Sequence, residues 1–268
     1  MVELPKFKTL SLTLSKNVLT LRFSRPERYN SLTPQAYRDW RDAIQFATHC
    51  EDAKVTVMTG EGKYYSSGQE LSPSTVDSDP DFNLDKNMSV TKELITLLIH
   101  FPKILMAAVN GPAIGFAVTT LALCDVVYSV PHATFQTPFM QLAFCAEGCS
   151  SYIFPRIMGP ARANEMLLLG RKFSAEEYER AGMLTRILPA ENFMEQVLRI
   201  AEEAALLPPN AVLQTKELIR VIDREELDRV NDREMTLLKE RFLSEESMEA
   251  IIKFMTERSN KKSKSSKL

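Results

Sequence analysis

Residues Ile104–Val130 read ILMAAVNGPAIGFAVTTLALCDVVYSV and form the most apolar run of the chain. The run is long enough to cross a bilayer. Yet Asn110, Gly111, Pro112 and Gly115 interrupt its first half, and Asp125 stands near its end. Proline removes a backbone donor and blocks a helix running through it, while the glycines admit backbone angles that other residues avoid. The pattern predicts soluble core: a buried strand over Ile104–Val109 and a turn over Asn110–Gly115. A helix apolar on nearly every side follows over Phe116–Leu123, then a second strand over Asp125–Val130.

Upstream, Thr9–Leu14 and Asn17–Phe23 cluster β-formers around a Ser-Lys-Asn turn, which predicts a hairpin closed by Arg25-Pro26-Glu27. Ser31 or Thr33 can cap the next helix, with Pro34 in its first turn. Over Gln35–Thr48, Trp40, Ala43, Ile44 and Ala47 share one face, so they read as core. Lys54–Met58 reads as a buried strand, followed by turn residues Thr59–Gly62 and the small-residue segment YYSSGQEL at Tyr64–Leu71. Ser72–Lys86, polar and with two prolines, reads as a mobile loop able to cover a site. An amphipathic helix over Met88–His100 leads into the opening strand.

Downstream, a short strand is expected at Ala133–Gln136. An irregular apolar segment with one acid, Glu147, spans Pro138–Ser150. Helices follow at Ser151–Met158, Ala161–Leu169 and Ala175–Ala181, then a last short strand at Met183–Leu188. From Ala190 only helices are expected: Ala190–Leu206, Asn210–Ile222 and Glu225 to about Glu257. Leu237, Leu238, Phe242 and Met248 give the last of these a stripe in need of a partner surface. This divides the chain into a core over 1–195, a helical oligomerisation region over 196–258 and a mobile tail over 259–268.

The hydrophobic fraction of 44% and charged fraction of 25% suit a globular protein of 268 residues and exclude a disordered chain or a fibre. A net charge of −2 gives no general electrostatic reason to bind nucleic acid or an anionic membrane. Cys50, Cys124, Cys145 and Cys149 show neither metal-ligand spacing nor disulfide density, so reduced thiols and no metal are expected. The first residues, MVELPKFKTL, lack the apolar core of a secretion signal. Ser266-Lys267-Leu268 matches the peroxisomal address read by a soluble import receptor, on a basic, polar tail.

Two backbone positions suggest chemistry. Ser67-Gly68-Gln69 comes after a strand, and Ile114-Gly115-Phe116 opens the buried helix. The first N–H groups of a helix lack intrahelical partners and carry the positive end of its dipole. If the Gln69 and Phe116 N–H groups converge, they form a pocket for a developing oxyanion.

At these residues the chain resembles the crotonase (enoyl-CoA hydratase/isomerase) superfamily. The marks are RPERYNSL at Arg25–Leu32, YYSSGQEL at Tyr64–Leu71, NGPAIGFAVTTLALCDVVYS at Asn110–Ser129 and the Pro138–Pro155 segment. The resemblance implies an α/β fold, a crotonase (ClpP-like) spiral of ββα units with a helical C-terminal trimerisation region. It implies homotrimers or dimers of trimers. It also implies an acyl-CoA substrate, with CoA as part of the substrate and no separate cofactor, whose thioester carbonyl is held by the Gln69 and Phe116 N–H groups. Arg28, Asn30, Ser66, Ser67 and Gly68 would line the CoA side, and Gly115 lets the chain turn into the donor position.

Relatives that hydrate enoyl-CoA use two glutamates, and the resemblance places these at Thr119 and Phe139 here. Neither is an acid. Glu147 falls where the fungal-type peroxisomal Δ3,Δ2-enoyl-CoA isomerases, which FCAEGCSS resembles, carry their catalytic acid. One carboxylate suffices for such an isomerisation, and an apolar neighbourhood of Phe144, Cys145, Ala146 and Cys149 would strengthen it as a base. Phe139 and Met140 are expected to keep the pocket dry. The expected function is therefore a 3-enoyl-CoA isomerase in β-oxidation. The alternatives are a dienoyl-CoA isomerase, an enoyl-CoA hydratase, a thioester hydrolase, or a non-catalytic acyl-CoA- or partner-binding protein.

Overall fold

The computed structural model describes residues 2–71 and 83–265. Strands β1 (Leu10–Ser15) and β2 (Val18–Phe23) form an antiparallel hairpin whose turn places Lys16 and Asn17 at positive φ. β3 (Val55–Gly60), β4 (Ile104–Val109), β6 (Val126–Ser129) and β9 (Arg186–Ile187) extend it in parallel, giving the order β1-β2-β3-β4-β6-β9. Every residue of β3 is buried, as are five of the six in β4. That burial matches continuous apolar runs, because a parallel sheet is covered on both faces.

A second, small sheet forms from three short segments, two of which, at residues 113–114 and 134–136, lie just downstream of large-sheet strands. β5 (Ala113–Ile114), β7 (Thr134–Gln136) and β8 (Phe173–Ser174) pair in that order. Parallel bridges join Ser66 to Ala113 and Leu32 to Gln69. Successive turns of the chain thus lay a strand in the large sheet and a short one beside it, then cross over by helix. Turn Asn110–Gly115 therefore contains a strand, β5. It is short because Pro112 gives no N–H and Gly115 leaves at φ 62°.

Helix α1 (Pro34–His49) starts at Thr33, whose side chain accepts from the Ala36 N–H at 3.2 Å. Trp40 lies wholly buried between Phe23, at 4.8 Å between ring centroids, and Phe116, at 5.6 Å. Helix α2 (Leu84–Ile99) packs on α1. It begins earlier than its apolar periodicity suggests, because the Asn83 side chain caps the Lys86 N–H at 2.9 Å. The end of the loop expected over Ser72–Lys86 is therefore helical, and its residues 72–82 lie outside the described residues.

The apolar centre of the opening stretch is one turn of α-helix, α3 (Phe116–Thr119), followed by a 3₁₀ turn over Thr120–Leu123. Helices α4 (Ser150–Met158), α5 (Pro160–Leu167) and α6 (Ala175–Arg180) come after β7, and α6 opens with a full capping box between Ser174 and Glu177. Helix α7 (Phe193–Ala205) buries Phe193, Val197, Ala201 and Ala205 and packs on β2, β3 and β4. A division after residue 195 would fall inside this core helix.

The remaining chain is α8 (Pro209–Phe242) and α9 (Glu245–Ser265). A break expected near residues 223–224 is absent; no glycine or proline interrupts the helix there. The chain instead breaks at Leu243-Ser244, where the Ser244 hydroxyl accepts from the Ser247 N–H at 3.2 Å. The polar segment expected as a tail from residue 259 is helical as far as Ser265, and Ser266-Lys267-Leu268 lies outside the described residues. Among the described residues no helix is long and apolar enough to cross a membrane.

Candidate active site

The bridge between Ser66 and Ala113 sets the site. The Ile114 N–H donates to the Ser66 carbonyl at 3.0 Å, and the Tyr65 N–H to the Pro112 carbonyl at 3.1 Å. Gln69 and Phe116 each stand three residues beyond this parallel pair, so their N–H groups emerge at the same end of it. The two segments touch so closely that a Cβ on Gly68, at φ +74°, would lie 2.6 Å from the Ile114 carbonyl oxygen. Among the described residues neither the Gln69 nor the Phe116 N–H donates to a protein acceptor.

Glu70 braces the first donor. Its carboxylate accepts from Ser31 Oγ at 2.7 Å, Arg25 Nη1 at 3.0 Å and Arg28 Nη2 at 2.7 Å. Burial alone would raise its pKa, but these hydrogen bonds and the charge of Arg25 outweigh it and hold the carboxyl below the ordinary range. The Leu32 N–H donates to the Gly68 carbonyl and the Glu70 N–H to the Leu32 carbonyl, fixing the peptide units on either side of Gln69.

Glu147 comes from a different part of the chain, and Phe116 is not among the residues lining its pocket. Glu147 lines the same pocket as Gln69, a cavity of ≈ 130 Å³. The walls are Leu32, Pro34, Tyr37, Leu71, Leu84, Met88, Val90, Leu238, Phe242, Ile251 and Met255, with polar groups from Glu70, Asn87 and Thr91. Glu147 is 7% exposed, and its carboxylate accepts no hydrogen bond among the described residues. Burial, and secondarily the charge of Glu234, push its pKa up to about 8. Tyr37 sits on the same wall with its ring 5.2 Å from that of Phe116. Burial and then the Glu147 charge raise its pKa as well.

The turn carrying Glu147 has an unusual backbone. Ala143, Gly148 and Cys149 lie at φ 53°, 66° and 61°. A Cβ at Gly148 would lie 2.5 Å from Thr119 Oγ1, so the small Thr119 and the bare Gly148 fill one space. That contact puts the Glu147 turn directly beside helix α3, which begins at Phe116.

The other residues expected in the site occupy several places. Asn30 is buried and structural: its Nδ2 donates to the Glu61 and Tyr64 carbonyls at 2.9 and 2.8 Å. Ser66 Oγ donates to the Asn30 carbonyl at 2.7 Å, and the Ser67 N–H to the Tyr29 carbonyl at 2.9 Å. Arg28 is half-exposed at the rim, paired with Glu70. Phe139 is buried against Gly115, but Met140 is 41% exposed and does not seal the pocket. Sealing comes from Tyr37 and from the C-terminal helices. The stripe expected to await a partner is divided: Leu238 is buried, and Phe242 lines the pocket and stacks on Phe144 at 5.6 Å, while Leu237 and Met248 are exposed. Tyr37 was legible as a member of the Trp40 face of α1; nothing local marks it as a pocket residue.

Cys145 faces a separate cleft, and burial pushes its thiol up to about 12, with Glu147 and Glu234 adding to the rise. Cys149 is buried and raised likewise. Neither is an activated nucleophile. Among the described residues no cluster of three His, Cys, Asp or Glu side chains could hold a metal ion.

This fold and pocket have known counterparts. A family model described as enoyl-CoA hydratase/isomerase matches residues 13–264. Enoyl-CoA delta isomerase 2 of Homo sapiens is 41% identical over 256 residues, which are 94% of this chain; the chain spans 64% of that protein's length. Enoyl-CoA delta isomerase 3, peroxisomal, of Mus musculus is 38% identical over 249 residues, covering 92% of this chain and 78% of that protein. The crystal structure of an enoyl-CoA hydratase/isomerase from Pseudoalteromonas atlantica superposes with a TM-score of 0.85 at 30% identity, covering 93% of this chain and 98% of that one. The chain belongs to the enoyl-CoA hydratase/isomerase family and has the crotonase fold.

The raised pKa of Glu147 has a consequence for stability. Its folded-state value of about 8 lies above the ordinary 4.5, so the protonated carboxyl favours the fold. That contribution is complete below about pH 4.5 and is lost as pH rises through about 8. Glu147→Gln should therefore raise the melting temperature relative to the native protein at pH 9, and do so less at pH 5. Calorimetry at the two pH values checks this; equal differences at both would contradict it.

Proposed function

We propose that the protein is a Δ3,Δ2-enoyl-CoA isomerase acting by a single carboxylate. The observation that carries the reading is a buried acid, Glu147, with no hydrogen-bond partner among the described residues, lining the same small pocket as Gln69; the family resemblance puts the glutamates of two-acid relatives at Thr119 and Phe139. The relatives named enoyl-CoA delta isomerase support it.

In this mechanism the Gln69 and Phe116 N–H groups donate to the thioester oxygen of a 3-enoyl-CoA. The Glu147 carboxylate removes a C2 proton. The C–H electron pair forms a C1=C2 bond as the carbonyl pair moves onto the thioester oxygen, giving a dienolate whose charge the two donors stabilise. The Glu147 carboxylic acid returns the proton to C4, leaving a C2=C3 double bond. Because the acyl chain stays bound, one group serves as base and then as acid. A second carboxylate would hold a water poised to attack the conjugated product. Thr119 and buried Phe139 offer no such group.

Purified protein given trans-3-enoyl-CoA should form the conjugated 2-enoyl thioester, read by its ultraviolet absorbance. Glu147→Gln should lower kcat by about 10²–10⁴-fold, the usual contribution of a positioned acid–base group. In the free enzyme kcat/KM should rise with pH and level off above about 8, as the base must be ionised. Absence of turnover, or full activity in the variant, would sink the mechanism.

Leu218, Ile219 and Ile222 are exposed on α8, which supports assembly into homotrimers or dimers of trimers. Light scattering should give a mass three or six times that of the 30.4 kDa chain; a stable monomer would reject the assembly. Ser266-Lys267-Leu268 supports import into the peroxisome by its receptor, and one relative carries that compartment in its name. Deleting Leu268 from a fluorescently tagged chain, in cells lacking the native protein, should leave the fluorescence cytosolic.

A further inference from the structure

Glu234 lies on α8, far from the pocket in sequence, and is buried. Its two oxygens take up three donors from the turn that carries Glu147. Oε2 accepts from the Cys149 N–H at 2.7 Å, and Oε1 from the Ser151 N–H at 2.9 Å and Ser151 Oγ at 2.5 Å. Between Glu147 and these donors the chain passes through two consecutive left-handed residues, Gly148 and Cys149. For Cys149 that conformation carries a strain cost, and it persists only where surroundings over-determine it. The α8 carboxylate supplies that determination and satisfies N–H groups at the start of α4, where a negative charge is favoured.

We propose that Glu234 is a positioning residue for the catalytic base: it clamps the left-handed turn on which Glu147 sits, and its negative charge makes Glu147 a stronger proton acceptor. The proposal rests on Glu147 being that base. The Glu234 pKa is raised by burial, and its hydrogen bonds from Ser151 and the Cys149 N–H, which favour the ionised form, offset only part of that rise. After burial, the nearby Glu234 charge is the second cause that raises the Glu147 pKa. The titratable groups around the pair are Tyr37 on α1 and Glu70 in the pocket, Cys145 and Cys149 on the turn itself, Tyr152 and Arg156 on α4, and Glu226, Asp228, Asp232, Arg233, Glu240 and Arg241 on α8. Of the cations, Arg241 donates from Nε to the Ala143 carbonyl at 2.9 Å and Arg156 from Nη1 to the Tyr152 carbonyl at 2.9 Å, while Arg233 lines the cleft beside Glu234.

The test separates clamp from charge. Glu234→Gln removes the charge and keeps an acceptor. The pH midpoint of kcat/KM should fall by about half a unit or more, as loss of a nearby like charge favours the ionised base. Glu234→Ala removes the clamp as well, and kcat should fall about tenfold or more with KM changed less than about twofold, as expected for a displaced catalytic group. An unmoved midpoint in Glu234→Gln would overturn the charge role, and native kcat in Glu234→Ala the clamp. If Glu234→Ala fails to fold, kcat in Glu234→Ser, which leaves the donors accessible to water, decides the clamp in its place. Glu147 can also be titrated without turnover, by the infrared carboxyl band that Glu147→Gln abolishes. A shifted band midpoint in an inactive protein would overturn the proposed function and leave the influence of Glu234 standing.

Discussion

The close passage of two backbone segments, Tyr64–Gln69 and Gly111–Phe116, governs the rest of this molecule. Main-chain hydrogen bonds hold the strands in parallel register, and Gly68 lets them touch without a side chain between them. Gly111 shows the same constraint, since a Cβ there would lie 2.1 Å from the Lys63 carbonyl oxygen. That register places Gln69 and Phe116 each three residues beyond the paired Ser66 and Ala113. The large sheet behind them, with Trp40 wedged between Phe23 and Phe116, is the rigid support such donors need.

Around this frame the protein recruits its acid from one remote turn and holds it with another part of the chain. Thr119 leaves room for Gly148, and Gly148 lets the turn bring Glu147 to the pocket. The C-terminal helices then close the wall through Leu238, Phe242, Ile251 and Met255. Their docking has an electrostatic anchor at the end of the opening stretch. Asp125 bonds the Leu105 N–H at 2.8 Å, Lys216 Nζ at 2.7 Å and Arg220 Nη2 at 3.0 Å, joining the sheet to α8. A helix that looks like an appendage in sequence is thereby part of the site.

The same burial that would make Glu147 effective makes it costly. A carboxylate without hydrogen-bond partners in an apolar pocket destabilises the ionised fold and is a stronger base for that reason. Glu70 shows the opposite arrangement beside the first donor: partly buried, but surrounded by Arg25, Arg28 and Ser31, it is held ionised as a brace. Two glutamates lining one pocket thus differ in role through their surroundings.

Most of the scaffold is written locally in the chain. Apolar runs of strand length, the Asn-Gly-Pro interruption and the helix caps give β3, β4, α1 and the small buried helix, because burial and turn chemistry are local properties. The close backbone approach at Gly68 was legible for the same reason, since glycines beside strand ends mark it. Met140 misled because an apolar side chain in an apolar segment carries no sign of which way it faces. The continuous α8, the pocket wall of Tyr37, Leu238 and Phe242, and the grip of Glu234 on the Glu147 turn emerge only when the chain is folded. Each joins residues far apart in sequence, and no local pattern records the distance between them.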